Sequence, residues 1–95
     1  MNADDLKFGA KVQKQIPKRG WTMEDIRALV RQPVQTAMAR DQRHQADGTR
    51  RDDPATAYLR KDGHYVVVND TNGDIVQISD RTRPWRSPFQ GEGEQ

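Results

Sequence analysis

The stretch spanning residues 53–80, DPATAYLRKDGHYVVVNDTNGDIVQISD, constrains the fold most, because it alone carries closely spaced runs rich in β-branched and aromatic residues. The runs, at 56–60, 64–69 and 74–79, are separated by Lys61-Asp62-Gly63 and Asp70-Thr71-Asn72-Gly73. This pattern predicts a three-stranded antiparallel meander. Gly63 and Asn72-Gly73 tolerate the positive φ that tight turns demand. Val66-Val67-Val68 does not alternate, so the middle strand is expected to be covered on both faces. The third strand does alternate, which puts Ile75 and Gln77 on one face and Val76 and Ile78 on the other.

Upstream, Phe8, Val12 and Ile16 fall at i, i+4 and i+8, a short helical stripe that Pro17 ends. A second helix has marked boundaries: Thr22 as N-cap, Glu24 and Asp25 in the first turn, and Gln32-Pro33 as the stop. Trp21 and Ile26 then sit at the positions of a hydrophobic staple, so Trp21 reads as structural. The expectation is an α+β domain, with two short N-terminal helices packed on a small antiparallel sheet that has the meander at its core. The 95 residues make one domain, with 1–6 and 90–95 flexible and the polar stretch 36–52 a loop.

Charge narrows the function. The net charge is only +2, yet Lys7, Lys11, Lys14, Lys18 and Arg19 form an anion-free segment. Arg40, Arg43, Arg50 and Arg51 precede the meander, and Arg81, Arg83 and Arg86 follow it. Basic segments flanking a neutral sheet are either solubilising charge or a phosphate-binding surface. Trp85, among these arginines, either caps a sheet edge or stacks on a nucleobase. Two helices across a glycine turn also suggest a DNA-reading helix-turn-helix, but Glu24 and Asp25 would meet the phosphates there and be repelled. No apolar run approaches the roughly 20 residues of a membrane helix. Cysteine is absent, so neither disulfides nor thiolate-bound metals contribute. His44 and His64 read as surface histidines before general bases. Asp52-Asp53 has no partner ligands at metal-site spacing, so no cofactor is expected.

Pro17-x-Arg19-Gly20-Trp21-Thr22-x-x-Asp25-Ile26, then Asp53-Pro54-Ala55-Thr56-x-Tyr58, then Tyr65-Val66-Val67-Val68-Asn69-Asp70 and Gln77-Ile78-Ser79-Asp80 resemble one family closely. It is the colicin E-five anticodon ribonuclease domain. The resemblance runs from about Lys11 to Asp80, and the stretch 34–49 and the tail match less well. It implies a toxin domain, a monomer apart from its inhibitor, that cuts transfer RNA in the anticodon loop and is held by a tight immunity protein. The expected cut follows a guanine-like base and precedes uracil. It further implies a catalytic pair at Lys11 and Arg19, with no histidine requirement, and substrate contacts at Arg51, Ile78 and, more loosely, Arg43. Lys14 is a neighbouring cation, and Trp85 a candidate stacking residue. Free lysine titrates near 10.4, so a lysine that moves protons needs cationic neighbours or burial. Lys11 is assigned to proton transfer and Arg19 to the phosphate, with exchanged or shared roles open. Such a domain would be the C-terminal piece of a larger exported toxin, acting in the target bacterium's cytoplasm. A non-catalytic RNA-binding module and a protein-interaction domain are the competing readings.

Overall fold

The computed structural model describes residues 3–82. A 3-10 turn at Ala3–Asp5 is followed by α1 (Ala10–Lys18) and α2 (Met23–Arg31), then by β1 (Gln35–Asp41), β2 (Asp53–Leu59), β3 (Tyr65–Asn69) and β4 (Ile75–Ile78). The strands form one antiparallel sheet in the order β1-β2-β3-β4. The meander is therefore β2 to β4, with a fourth strand on its outer side.

The end of α1 positions both helices. Trp21 N–H donates to Ile16 O at 2.9 Å and Gly20 N–H to Pro17 O at 3.3 Å, the paired bonds of a Schellman cap. Gly20 takes φ 79° there, and a Cβ on it would lie 3.3 Å from Arg81 Cβ. Gly20→Ala is therefore expected to cost about 1–2 kcal/mol, read as a lower denaturation midpoint; an unchanged midpoint would show that this turn has other conformations open to it. Thr22 then caps α2 reciprocally, its Oγ1 accepting from Asp25 N–H at 3.0 Å while Asp25 Oδ2 accepts from Thr22 N–H at 2.9 Å. Trp21 and Ile26 are both buried, as the staple requires. Trp21 joins Val12, Ile16, Leu29, Val30, Tyr58, Val66, Val68, Ile75 and Ile78 in the core between helices and sheet. On the opposite face Ala55, Ala57, Leu59, Tyr65 and Val67 form a second cluster. All of β3 is buried, as its unbroken valine run predicts.

Four expectations need correction. Residues 35–41 form β1 rather than a loop. The signal is concealed because the inward positions are Ala37 and Ala39, poor strand formers, which pair with Ala57 and Ala55 of β2. The remainder of 36–52 prolongs that hairpin, with Arg51 N–H donating to Arg43 O at 2.9 Å and Gln45 N–H to Thr49 O at 2.7 Å. Within 1–6, residues 3–5 form the 3-10 turn, anchored by buried Ala3, and Lys7 bridges to Asp74. In β4 the alternation breaks, because a bulge pairs Val68 with Ile75 and Val67 with Gln77. The extra residue turns both Ile75 and Ile78 into the helix-facing core and leaves Val76 against the second cluster. Finally, His64 is buried, with Nδ1 2.9 Å from Ser79 Oγ, whereas His44 is exposed as expected. Trp85, Arg83, Arg86 and the stretch 90–95 lie outside the described residues.

Candidate active site

A cleft of about 610 Å³ opens between α1, the end of β1 and β4. Lys11, Gln15 and Arg19 all line it, and their spacing explains why. At i, i+4 and i+8 they form a polar stripe alongside the buried pair Val12 and Ile16, so packing that apolar stripe on the sheet turns the polar one to the cleft. Lys11 lies in the first turn of α1 and Arg19 at its C-cap, roughly 12 Å apart along the axis at 1.5 Å per residue. The N-cap is Gly9, with no side chain to cap the helix. Gly9, Ala10, Lys11 and Val12 all line the cleft, so the positive end of the helix dipole lies beside it.

Arg19 is held at its head and its backbone. Its Nη1 donates to Ile78 O at 2.6 Å, and its own carbonyl accepts from Arg81 N–H at 2.8 Å. Burial raises the Tyr65 phenol above its ordinary range, while the Arg19 charge pulls it down. Gln77 Nε2 donates to that hydroxyl at 3.0 Å, and Gln77 also lines the cleft.

The wall formed by the end of β1 is built differently. Asp41 is wholly buried and binds Arg43 with both oxygens: Oδ1 accepts from Nε at 2.8 Å and Oδ2 from Nη2 at 2.7 Å. Asn69 Nδ2 adds a bond to Asp41 Oδ2 at 2.8 Å, and Asp74 Oδ2 accepts from Arg43 Nη2 at 3.2 Å. Arg43 holds the Asp41 carboxyl down to about 2 against the opposing effect of burial. Because the folded value lies below the ordinary 3.8, the stabilisation is complete above that value and is lost as pH falls through 2. It amounts to about 2 kcal/mol. A carboxyl-carbon NMR titration of Asp41 is expected to give a midpoint near 2, and one near the ordinary value would mean the ion pair is open in solution.

Of the residues singled out in the sequence, Lys11, Arg19 and Arg43 share the cleft. Arg51 stands behind it, with Nε 3.1 Å from Asp53 Oδ2. Ile78 is buried in the core, so only its backbone faces this region, and its carbonyl already serves Arg19. Lys14 is exposed on α1 and is not among the lining residues. Trp85 is outside the described residues. Lys7 and Arg40, counted in the sequence only as members of the basic segments, also line the cleft, as do Gln77, named there only within the third strand, and Gln15, which was not named at all; for Gln15 the signal was its place midway between Lys11 and Arg19. Arg40 is paired with Asp52 at 2.9 Å. Among the described residues, no carboxylate lies within ion-pair distance of Lys7, Lys11 or Arg19. Among the described residues, the cleft thus carries cations along α1 that no carboxylate pairs.

Similarity to known proteins agrees with this geometry. Colicin-E5 of Escherichia coli is 43% identical over 83 residues, covering 83% of this chain and 45% of that protein. The tRNA nuclease CdiA of Burkholderia pseudomallei is 39% identical over 85 residues, covering 87% of this chain and 7% of that protein. The chain therefore spans less than half the length of either relative. The profile of the colicin E5 ribonuclease domain matches residues 8–90, well over half of the sequence and the whole of the cleft except Lys7, and the chain belongs to that family of ribonuclease domains.

Proposed function

We propose that the chain is the nuclease domain of a bacterial toxin that cuts transfer RNA within the anticodon loop. The cut falls between a guanine-like first anticodon base and the uracil that follows it, as in the transfer RNAs for tyrosine, histidine, asparagine and aspartate. The observation that carries this is that Lys11 and Arg19 line one cleft with no ion-pair partner among the described residues, supported by relatives of which one is named a tRNA nuclease. RNA supplies its own nucleophile. A 2′-hydroxyl gives up its proton and attacks the adjacent phosphorus, the bond to the 5′-oxygen breaks, and that oxygen takes a proton. The products are a 2′,3′-cyclic phosphate and a 5′-hydroxyl. Lys11 moves the proton, and the phosphorane charge is met by Arg19, through the guanidinium protons not committed to Ile78 O, and by the α1 N-terminus. Cations suffice for that stabilisation, so no metal is required. Incubating total bacterial transfer RNA with the chain in a chelator is expected to give discrete half-length fragments on a denaturing gel. Intact transfer RNA in the presence of folded protein overturns the activity, and fragments that appear only on adding magnesium overturn the metal-free chemistry.

The chain acts in the cytoplasm of a target bacterium after export as the C-terminal part of a larger toxin. Its producer must cover the cleft with an immunity protein. An acidic inhibitor fits the cations that are left unpaired among the described residues, and charge steering speeds the encounter. Such an inhibitor competes with a guanosine–uridine dinucleotide analogue for the cleft. Simultaneous binding of both at undiminished affinity would place the inhibitor elsewhere.

A further inference from the structure

Lys7 lines the cleft but precedes the stretch that the profile of the colicin E5 ribonuclease domain matches, and its backbone is fixed on the sheet. Lys7 N–H donates to Gly73 O at 2.9 Å and Lys7 O accepts from Ile75 N–H at 3.2 Å, a parallel bridge to Asp74 at the start of β4. The residues on either side, Leu6 and Phe8, pack against the main core, and the Arg27 guanidinium lies over the Phe8 ring at 5.1 Å. Side chains alternate along an extended segment, so with its neighbours turned inward Lys7 is turned out to the cleft. Gln13 Nε2 donates to Phe8 O at 2.7 Å and ties this segment to the helix that carries Lys11.

β4 runs between the two ends of the cleft. Lys7 is bonded to its first residue, Ile75, and Arg19 to its last, Ile78, so the two cations stand at opposite ends of a floor roughly 10 Å long. Lys11 lies in the first turn of the helix that joins them. Asp74, the carboxylate in the cleft lining, is engaged by Arg43 at 3.2 Å, and no carboxylate among the described residues lies within ion-pair distance of Lys7. In the proposed mechanism Lys11 and Arg19 take the scissile phosphate, and a single-stranded loop presents further phosphates on either side of it. A lysine suits that task, because a point charge with three rotatable donors holds a phosphate without reading a base. We infer that Lys7 forms a second phosphate subsite, which holds the RNA backbone next to the scissile phosphate at the end of the cleft away from Arg19. The inference rests on the proposed RNA substrate. It makes the cleft longer than the dinucleotide that is cut, so a loop binds more tightly than its two central nucleotides alone.

The test compares two probes that resist cleavage because the sugar before the scissile phosphate is 2′-deoxy: a guanosine–uridine dinucleotide without terminal phosphates, and an anticodon stem-loop containing the same step. Dissociation constants are measured from about 50 to 200 mM salt. Lys7→Ala is expected to weaken the stem-loop about 5-fold at the lowest salt and to flatten its slope of log K against log salt by about 0.7, while leaving the dinucleotide unchanged. Lys7→Arg restores the affinity and the slope, since arginine keeps the charge. Lys61→Ala, which removes the same charge from the exposed β2–β3 turn outside the cleft, leaves both probes unchanged. The bridge to β4 is made by backbone groups, so substituting the Lys7 side chain keeps the fold. Equal loss for both probes would place Lys7 at the scissile phosphate, and no loss for either would make it solvated surface charge; each overturns the second subsite. A slope that Lys61→Ala flattens as far as Lys7→Ala does also overturns it, by tracing the effect to net charge. A chain that leaves transfer RNA uncut in the gel assay overturns the proposed function instead.

Discussion

Lys11→Ala and Arg19→Ala are each expected to lower transfer RNA cleavage by about 10²–10⁴-fold, the range for removing a positioned proton-transfer group or a transition-state charge donor. Lys11 is exposed in the first turn of α1, and its truncation leaves no cavity, so the fold should be unaffected. Arg19 is half-buried and its Nη1 satisfies Ile78 O, so its loss should also cost about 1 kcal/mol of stability. That separates the two readouts: activity falls in both variants, stability only in Arg19→Ala. Because the two residues act on one transition state, the double variant should be little worse than the poorer single one. His44→Ala should keep full turnover, since its exposed ring contacts Arg50 at 3.3 Å outside the cleft. Unimpaired cleavage by either folded single variant removes that residue from the mechanism, and loss of turnover in His44→Ala restores a histidine mechanism.

How much of this was legible in the sequence follows from which signals are local. Capping, the staple and the meander turns depend on a few adjacent residues, and Thr22, Asp25, Gly63 and Gly73 announce them. The fourth strand was hidden because its pairing uses alanine against alanine across β1 and β2, where the favourable contact is close packing and not intrinsic strand preference. The β4 bulge was equally invisible, since one inserted residue changes which side chains face the core without changing composition. At the site, the Lys11–Arg19 pair was legible only through the family resemblance, since Pro17 hid the continuation of α1 to Lys18 that brings both residues to one cleft. The buried Asp41 clamp was not, because its partners Arg43, Asn69 and Asp74 come from separate parts of the chain and meet only once the sheet has formed.

Trp21→Ala is expected to be the most destabilising single change, and the reason joins the fold to the cleft. The indole is 3% exposed in the main core, and truncating a buried tryptophan costs about 3–5 kcal/mol. Its Nε1–H also donates to Ser79 O at 2.7 Å, and the guanidiniums of Arg81 and Arg60 lie 5.1 Å and 5.7 Å from its ring centroid. A domain of this size has about 5–14 kcal/mol in total, so the loss should lower Tm by roughly 12–40 °C. Trp21→Phe separates the components: it keeps most of the apolar volume but orphans the Ser79 carbonyl, for about 1–3 kcal/mol. Trp21 is also the residue whose N–H closes the α1 cap, immediately after the turn that presents Arg19. A backbone bond survives either substitution, so cleavage per folded molecule should stay within a few-fold of the unsubstituted chain in Trp21→Phe while the folded fraction falls on warming. Calorimetry paired with turnover at a temperature where both proteins are folded checks this. A Trp21→Ala chain that loses less than about 1 kcal/mol would mean that the indole is not the anchor between α1, α2 and the strand end at Ser79.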